Sequence, residues 1–236
     1  MLRRVVTKHR ALPHAQFKAL RDALLGSPLV GRSTLTGPFQ TSRGFALTFR
    51  GEGGRQTVES RFPSLKPWFA RVLGARAIEA LRPWWLAFQK PAQVPNAWYL
   101  NVLMVSEGGQ VSRHLDTTLR APSSVETAAP KLVSVLYLSV PSRRGGQLEL
   151  WSGPEEVAKV QPQENSAVHF RGDLAHAVRP FEKAPDGSVR ASLVIEQYHF
   201  EREALARLPE FQLDSRAGFA AFLKLHDGPG RQFEVE

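Results

Sequence analysis

The sequence contains no cysteine, and this absence narrows the chemistry open to the protein. Disulfide bonds, thiolate metal sites and a cysteine nucleophile are excluded, so any metal must be held by nitrogen and oxygen ligands. No apolar stretch approaches the roughly 18 residues of a membrane span, and the basic segment 1–14 is not followed by the apolar run of a secretory signal. These absences predict a soluble cytoplasmic protein with no membrane partner.

The composition is otherwise that of a globular protein with one substantial core. Of 236 residues 42% are hydrophobic, with five tryptophans and fourteen phenylalanines, and β-rich domains commonly reach this size without dividing. The net charge of +9 is compatible with an acidic partner such as nucleic acid. The basic residues are dispersed, however, and no segment interleaves them with aromatic residues as a strand-binding groove does. Nucleic acid is therefore an open but not a favoured partner.

The first part of the chain, 1–95, is predicted to be a supporting region of helices and a hairpin. Apolar residues recur at helical spacing in 13–25. Apolar and polar residues alternate in 44–62 around the glycine-rich segment 51–54, which predicts a β-hairpin. The segment 64–89 carries a helical apolar pattern interrupted by glycine and proline, which predicts two helices or one kinked helix.

Short β runs separated by glycine, proline and aspartate follow residue 95 and predict a sandwich or jelly roll. The predicted strands are 98–106, 111–116, 132–140, 147–151, 157–161, 166–170, 174–180 and 189–200. After residue 200, two closing helices are predicted within 201–236. We therefore expect a single domain over 1–236, mainly β with flanking helices, in which 96–200 is the core.

The central motif of the core is His114-Leu115-Asp116, followed at a distance by His176. His114 and Asp116 share parity on an extended segment, so their side chains can project toward the same face and meet one ion. Two imidazoles and one carboxylate form a facial ligand set for Fe(II) that leaves coordination positions open for an organic co-substrate and O2. A His-x-Asp pair alone is weak support, because such pairs also occur by chance.

Four segments around these ligands raise the specificity of the motif. LNVLMVSEGGQVSRHLD (100–116), LVSVLYLSV with GGQLELW (132–140 and 145–151), AVHFRGDLAHAVRPF (167–181) and VRASLVIEQYHF (189–200) resemble, in order and spacing, the prolyl-4-hydroxylase-like branch of the Fe(II)/2-oxoglutarate-dependent oxygenases. The resemblance covers about 100–200 and implies a double-stranded β-helix, the cupin-like form of the jelly roll.

The resemblance also implies a set of site residues and cofactors. His114, Asp116 and His176 are expected to hold Fe(II). The far carboxylate of 2-oxoglutarate is expected to bind Arg190, whose planar fork suits a carboxylate, with hydroxyls from Tyr137 and Ser192. O2 is then the oxidant, succinate and CO2 are co-products, and ascorbate is a candidate reductant. The residue-level alternatives are a core tyrosine at Tyr137 and a surface arginine at Arg190.

Departures from the family pattern bear on the substrate. Val105 and Val111 occupy positions that carry tyrosines in collagen-type prolyl hydroxylases, which argues against peptidyl-proline as the substrate. Glu196 stands where related nucleic-acid demethylases carry a second arginine, so demethylation becomes a minority hypothesis. By parity Glu196 faces the interior and pairs with an active-site base or a cationic substrate group; the alternative is an outward glutamate after a bulge. Asp116 argues against related halogenases, which lack that carboxylate.

Two further arginines adjoin predicted ligands. Arg113 and Arg179 could attract an anionic substrate, but flanking positions on a strand point away from the site, so a solvated or structural role is favoured for both. The sequence thus predicts a dioxygenase that hydroxylates a protein side chain or a small metabolite. The alternative is a barrel that binds metal and ligand as a sensor or structural module without turnover. The substrate and the oligomeric state are left open.

Overall fold

The structure, a computed structural model, describes residues 4–32, 42–73, 93–105, 109–119, 129–141, 144–181 and 189–217. The first part of the chain forms β1 (Val5–Lys8), α1 (His14–Leu25), β2 (Gly31–Arg32), β3 (Arg43–Arg50), α2 (Gly51–Arg61), a 3-10 turn (Pro63–Leu65) and α3 (Lys66–Val72). The core forms β4 (Ala97–Val105), β5 (Val111–His114), β6 (Leu132–Ser139), β7 (Leu148–Ser152), β8 (Glu155–Val160), β9 (Ala167–Phe170), β10 (Ala175–Val178) and β11 (Arg190–Tyr198), followed by α4 (Arg202–Ala206) and β12 (Phe211–Asp214).

The strands form two antiparallel sheets that face each other. The larger has the order β1-β9-β6-β11-β4-β3-β12 with β2 beside β3, and the smaller has the order β5-β10-β7-β8. Strands that are distant in sequence are neighbours in both sheets, as in a jelly roll. The predicted mainly β, double-stranded β-helix fold is confirmed, and the eight predicted core strands correspond to β4 through β11.

The apolar core has two main parts that follow from the two sheets. One lies between the larger sheet and the helices, and its largest buried members are Leu20, Leu24, Phe49, Trp68, Phe69, Leu136 and Leu193. The other lies between the two sheets and includes Val133, Tyr137, Leu148, Leu150, Phe170 and Val178. The helices therefore support the outer face of the larger sheet, while its inner face is left to line the space between the sheets.

The predicted hairpin over 44–62 is wrong. Its first strand is present as β3, but the chain continues as helix α2 rather than as a second strand. Gly51 has a φ of 61° at the point where the strand ends, and this left-handed conformation turns the chain away from the sheet. Both edges of β3 are already paired, with β4 and with β12. The polar segment after Gly51 instead becomes a helix that buries Gly54 and Val58.

The predicted terminal helices are only partly present. Helix α4 is one short turn within the first of them, and Phe211–Asp214 pairs with β3 as a strand rather than continuing a helix. Residues 215–217 are not helical, and the rest of the second predicted helix lies outside the described residues. In the segment 64–89, helix α3 ends at Val72, and the remainder also lies outside the described residues. No helix in the described ranges has the length and apolar character needed to cross a bilayer.

His169, which was not expected to be a ligand, is a buried structural residue on β9. Its Nδ1 lies 2.9 Å from the Ser134 hydroxyl oxygen, and its ring stacks at 6.2 Å on Trp68. Burial, and secondarily the charge of Lys8, lowers the pKa of His169 to about 4. The imidazole is therefore neutral in the folded protein at neutral pH.

Lowering the pH from 7 to 5 should reduce the free energy of unfolding by about 2 kcal/mol through His169 alone. The unfolded histidine, with its ordinary pKa near 6.5, takes up a proton in this range, whereas the folded one does so only near pH 4. Stability present above pH 6.5 is thus lost as the pH falls toward 4. Urea titrations of the protein and of His169→Gln measure the effect, and parallel pH profiles for the two would contradict it.

Candidate metal centre and co-substrate cavity

Pairing of β5 with β10 brings the predicted ligands together. His114 and His176 are register partners across these strands, and their ring centroids lie 4.3 Å apart. Asp116 follows β5, with Oδ1 at 3.3 Å from His114 Nε2 and Oδ2 at 3.5 Å from His176 Nε2. The three potential ligand atoms all lie within 4.8 Å of one another, the single such group found in the described part of the chain.

Backbone carbonyls orient both imidazoles. His114 Nδ1 lies 2.8 Å from the Ser112 carbonyl oxygen, and His176 Nδ1 lies 3.3 Å from that of Leu174. Since a carbonyl only accepts, each Nδ1 carries a hydrogen, and in a neutral ring the lone pair is then on Nε2. Both Nε2 atoms face the Asp116 carboxylate. This is the arrangement in which histidines ligate a metal through Nε2 while the other nitrogen fixes the ring.

The electrostatics of the metal-free site favour a cation at this point. Burial lowers the pKa of His114, but the hydrogen bond and charge of Asp116 outweigh burial and leave that pKa above its usual value. Burial raises the pKa of Asp116, yet the two histidines outweigh it and the pKa lies below its usual range. For His176 burial dominates, and its pKa is lowered. Asp116 Oδ2 is buried without a hydrogen-bond partner. The donor set and this unsatisfied oxygen fit a divalent ion such as Fe(II).

The ligand group opens onto a cavity between the two sheets. Its apolar walls include Leu103, Val111, Val133, Val135, Leu148, Val178 and Val194. Its polar lining consists of Asn101, His114, Asp116, Thr118, Tyr137, His176, Arg190, Ser192 and Glu196. The polar groups are therefore few and lie on an otherwise apolar surface, as in a site for a small ligand.

Arg190 and Tyr137 form the cationic end of this cavity. Both side chains are buried, and the Arg190 guanidinium carbon lies 5.4 Å from the centre of the Tyr137 ring. Arg190 Nε and the Tyr137 hydroxyl form no hydrogen bond of normal geometry with the described residues, although the two groups interact electrostatically with each other. Burial lowers the pKa of Arg190 and raises that of Tyr137. A buried guanidinium without a counter-ion is unfavourable, so these two groups fit a bound carboxylate such as the far end of 2-oxoglutarate.

Ser192 and Glu196 occupy the same strand as Arg190. Ser192 is the register partner of Tyr137, so its hydroxyl lies at the same level of the sheet. Glu196 is buried and lines the cavity, which is the inward-facing alternative of the sequence analysis. Its carboxylate accepts hydrogen bonds from the hydroxyls of Thr118 and Tyr198. Burial, followed by the charge of Asp116, raises the pKa of Glu196 well above its usual value.

The two flanking arginines lie outside the cavity. The Arg113 guanidinium lies 4.8 Å from the centre of the Trp151 ring and donates to the Gly153 carbonyl. Arg179 is largely exposed and donates from Nε to Glu149 at 2.8 Å. These contacts favour the structural alternative for both residues over a role in binding substrate.

Sequence reasoning missed three polar residues of the site: Asn101, Thr118 and Tyr198. Parity was the available signal, because Asn101 alternates with Leu103 on β4 and Tyr198 follows Glu196 by two positions on β11. Thr118 follows Asp116 by two positions in a segment that is not a strand, so its orientation could not be predicted from an alternation.

Comparison with known proteins identifies the class. A family model described as the 2OG-Fe(II) oxygenase superfamily matches residues 99–195, which is the core of the jelly roll. The chain resembles a prolyl hydroxylase from Trichoplax adhaerens, solved with a hypoxia inducible factor peptide, at a TM-score of 0.54 and 14% identity over 86% of both chains. A search of curated proteins by sequence gives no match.

Two further solved structures have similar folds. A prolyl 4-hydroxylase from Phytophthora capsici gives a TM-score of 0.51 at 17% identity over 86% of this chain and 65% of that one. IDO from Bacillus thuringiensis gives a TM-score of 0.50 at 10% identity over 84% of this chain and 94% of that one. At such identities these likenesses concern the fold. Residues 99–195 match the 2OG-Fe(II) oxygenase superfamily, and this match supports a 2-oxoglutarate-dependent dioxygenase.

A divalent ion should stabilise the folded protein through the three candidate ligands. With Fe(II) or Mn(II) at 100 times its dissociation constant, the free energy of unfolding should increase by about 2.7 kcal/mol, which raises Tm by about 5 to 10 °C. Calorimetry without oxygen measures the shift. Asp116→Ala should abolish the Tm shift. Asp173→Ala should retain the shift, because Asp173 is an exposed aspartate that pairs with Arg171. An undiminished shift in Asp116→Ala would refute the assignment of this ligand.

Proposed function

We propose that the protein hydroxylates an unactivated C–H bond of a substrate that enters the cavity beside His114, Asp116 and His176. These three residues would hold Fe(II), and Arg190, Tyr137 and Ser192 would bind the far carboxylate of 2-oxoglutarate. The observation that carries this proposal is the buried pair of Arg190 and Tyr137, which has no counter-ion among the described residues and lies in the same cavity as the ligand group. Buried polar atoms are normally satisfied, so their exceptions indicate a ligand.

Bound Fe(II), with 2-oxoglutarate and O2, supplies the chemistry that inserts one oxygen atom into a C–H bond and forms succinate and CO2 from the co-substrate. Ascorbate is a candidate reductant for keeping the iron in the ferrous state. The protein's contribution is to place the reactants and to exclude water. Arg190 orients 2-oxoglutarate, and the apolar walls, Val111, Val135 and Val178 among them, keep the reacting groups dry.

A protein side chain or a small metabolite is the proposed substrate. The prolyl hydroxylase from Trichoplax adhaerens was solved with a peptide, which supports a protein side chain. Val111 lies in the cavity wall where collagen-type enzymes have a tyrosine, so proline itself is not favoured. Glu196 is buried in the cavity at the position where related demethylases carry a second arginine, so nucleic-acid demethylation is disfavoured. We propose that the chain is one domain, since β3 and β12 belong to the same sheet as the core strands. Cytoplasmic location remains a prediction from the sequence.

Loss of an iron ligand should abolish turnover. The protein is expected to form succinate from 2-oxoglutarate in the presence of Fe(II) and O2, with or without added substrate. The rate of succinate formation should fall at least about 100-fold in His176→Ala, because this variant loses an iron ligand. His14→Ala removes an exposed histidine outside the cavity and should leave the rate unchanged. Retention of the rate in His176→Ala would overturn the proposed site.

Removal of the Arg190 charge should weaken 2-oxoglutarate binding by about 10- to 100-fold, the size of one charge-assisted contact. Arg190→Gln should also leave the ligand-free Tm unchanged or raise it, because the charge it removes is buried and has no counter-ion. Titration of the Mn(II)-loaded protein with 2-oxoglutarate measures the affinity, and scanning calorimetry of the ligand-free protein measures the Tm. Arg179→Gln, which removes an exposed arginine outside the cavity, serves as the control. Equal affinities of Arg190→Gln and the unmodified protein would contradict the assignment.

A further inference from the structure

The inner face of β11 carries opposite chemistry at its two ends. Arg190, Ser192, Val194 and Glu196 alternate along this strand and all line the cavity. At about 3.3 Å per residue, Arg190 and Glu196 are separated by about 20 Å along the strand. The cavity therefore has a guanidinium at one end and a carboxylate at the other, and 2-oxoglutarate would occupy the Arg190 end.

The carboxylate of Glu196 is held in place without a counter-ion. Thr118 Oγ1 donates to Oε1 at 2.8 Å, and the Tyr198 hydroxyl donates to Oε2. The Tyr198 oxygen in turn accepts from the backbone N–H of Thr118 at 3.1 Å. No salt bridge to Glu196 is formed by any residue in the described ranges. Each carboxylate oxygen can accept further hydrogen bonds, because an ionised carboxylate has about four acceptor positions.

Asn101 adds a second polar group at the Glu196 end. It is the register partner of Val194 on the neighbouring strand, lines the cavity and is only 8% exposed. Its side-chain amide can donate and accept hydrogen bonds and is available to a ligand in the cavity.

We propose that Glu196 and Asn101 form the subsite for a cationic substrate group, an ammonium or guanidinium of the kind that ends a lysine or arginine side chain. This inference rests on the proposed function. A cation with several N–H donors would pair with the carboxylate of Glu196, whose buried ionised form is otherwise unfavourable, and could also bond to Asn101.

Binding of matched capped amino acids tests the proposal. The full chain, loaded with Mn(II) and 2-oxoglutarate, is titrated calorimetrically with Nα-acetyl-lysine methylamide and with the norleucine and glutamate analogues. The lysine probe should bind at least about 10-fold more tightly than norleucine, and glutamate should bind most weakly. In Glu196→Gln the preference for lysine over norleucine should fall to within about 2-fold, and Asn101→Leu should reduce it in the same direction.

A matched control separates charge recognition from general effects of losing a buried carboxylate. Glu149 is equally buried, but it faces Lys159 and Arg179 outside the cavity, so Glu149→Gln should keep the lysine preference. If the unmodified protein shows no preference, or Glu196→Gln keeps it, the proposal is wrong and Glu196 only anchors the segment after Asp116. If Glu196→Gln does not fold, the ranking in the unmodified protein and the Asn101→Leu result decide.

The affinity for 2-oxoglutarate distinguishes this failure from failure of the proposed function. It is expected to change less than about 2-fold in Glu196→Gln, because the substitution lies at the opposite end of β11. If 2-oxoglutarate binding depends on Arg190 but the protein shows no preference for lysine, the proposed cationic subsite is wrong and the proposed function is unaffected. Absence of 2-oxoglutarate binding to the unmodified protein would remove the proposed function itself.

Discussion

The antiparallel pairing of β5 with β10 is the constraint on which the site depends. It places His114 opposite His176, and the turn of the chain after β5 brings the Asp116 carboxylate against both rings. Three polar groups from two segments about sixty residues apart in the sequence are thereby held within the reach of one ion. Carbonyls two residues before each histidine fix the ring orientation, so the strands determine both the position and the tautomer of the candidate ligands.

Burial of the remaining polar groups of the cavity lowers the stability of the folded protein. Arg190 is buried with no counter-ion among the described residues, and the Glu196 carboxylate is bonded there only to hydroxyls, so both groups would be more stable in water. The surrounding core of the two sheets holds them in place. Such groups are characteristic of sites that gain their partners from a ligand, and here they lie at the two ends of β11.

Much of the β core could be predicted because each strand is short, apolar and bounded by glycine, proline or aspartate. The eight predicted strands match β4 through β11, and helix α1 matches the apolar spacing of 13–25. The hairpin at 44–62 failed for a reason outside the local pattern. The edges of β3 are occupied by β4 and by β12, strands from distant parts of the chain, so the segment after Gly51 had no edge to join and formed a helix.

The sequence alone determined the kinds of group present: nitrogen and oxygen ligands in place of thiolates, a His-x-Asp pair on one parity, and an arginine and a glutamate of equal parity near the end of the core. Tertiary structure decided which of these groups meet. It brought Asn101 and Thr118 to the cavity, placed the Tyr198 hydroxyl against Glu196, and left Arg113 and Arg179 outside the cavity. The reason is physical: parity sets the face of a strand, but only the register between strands sets which faces enclose the same space.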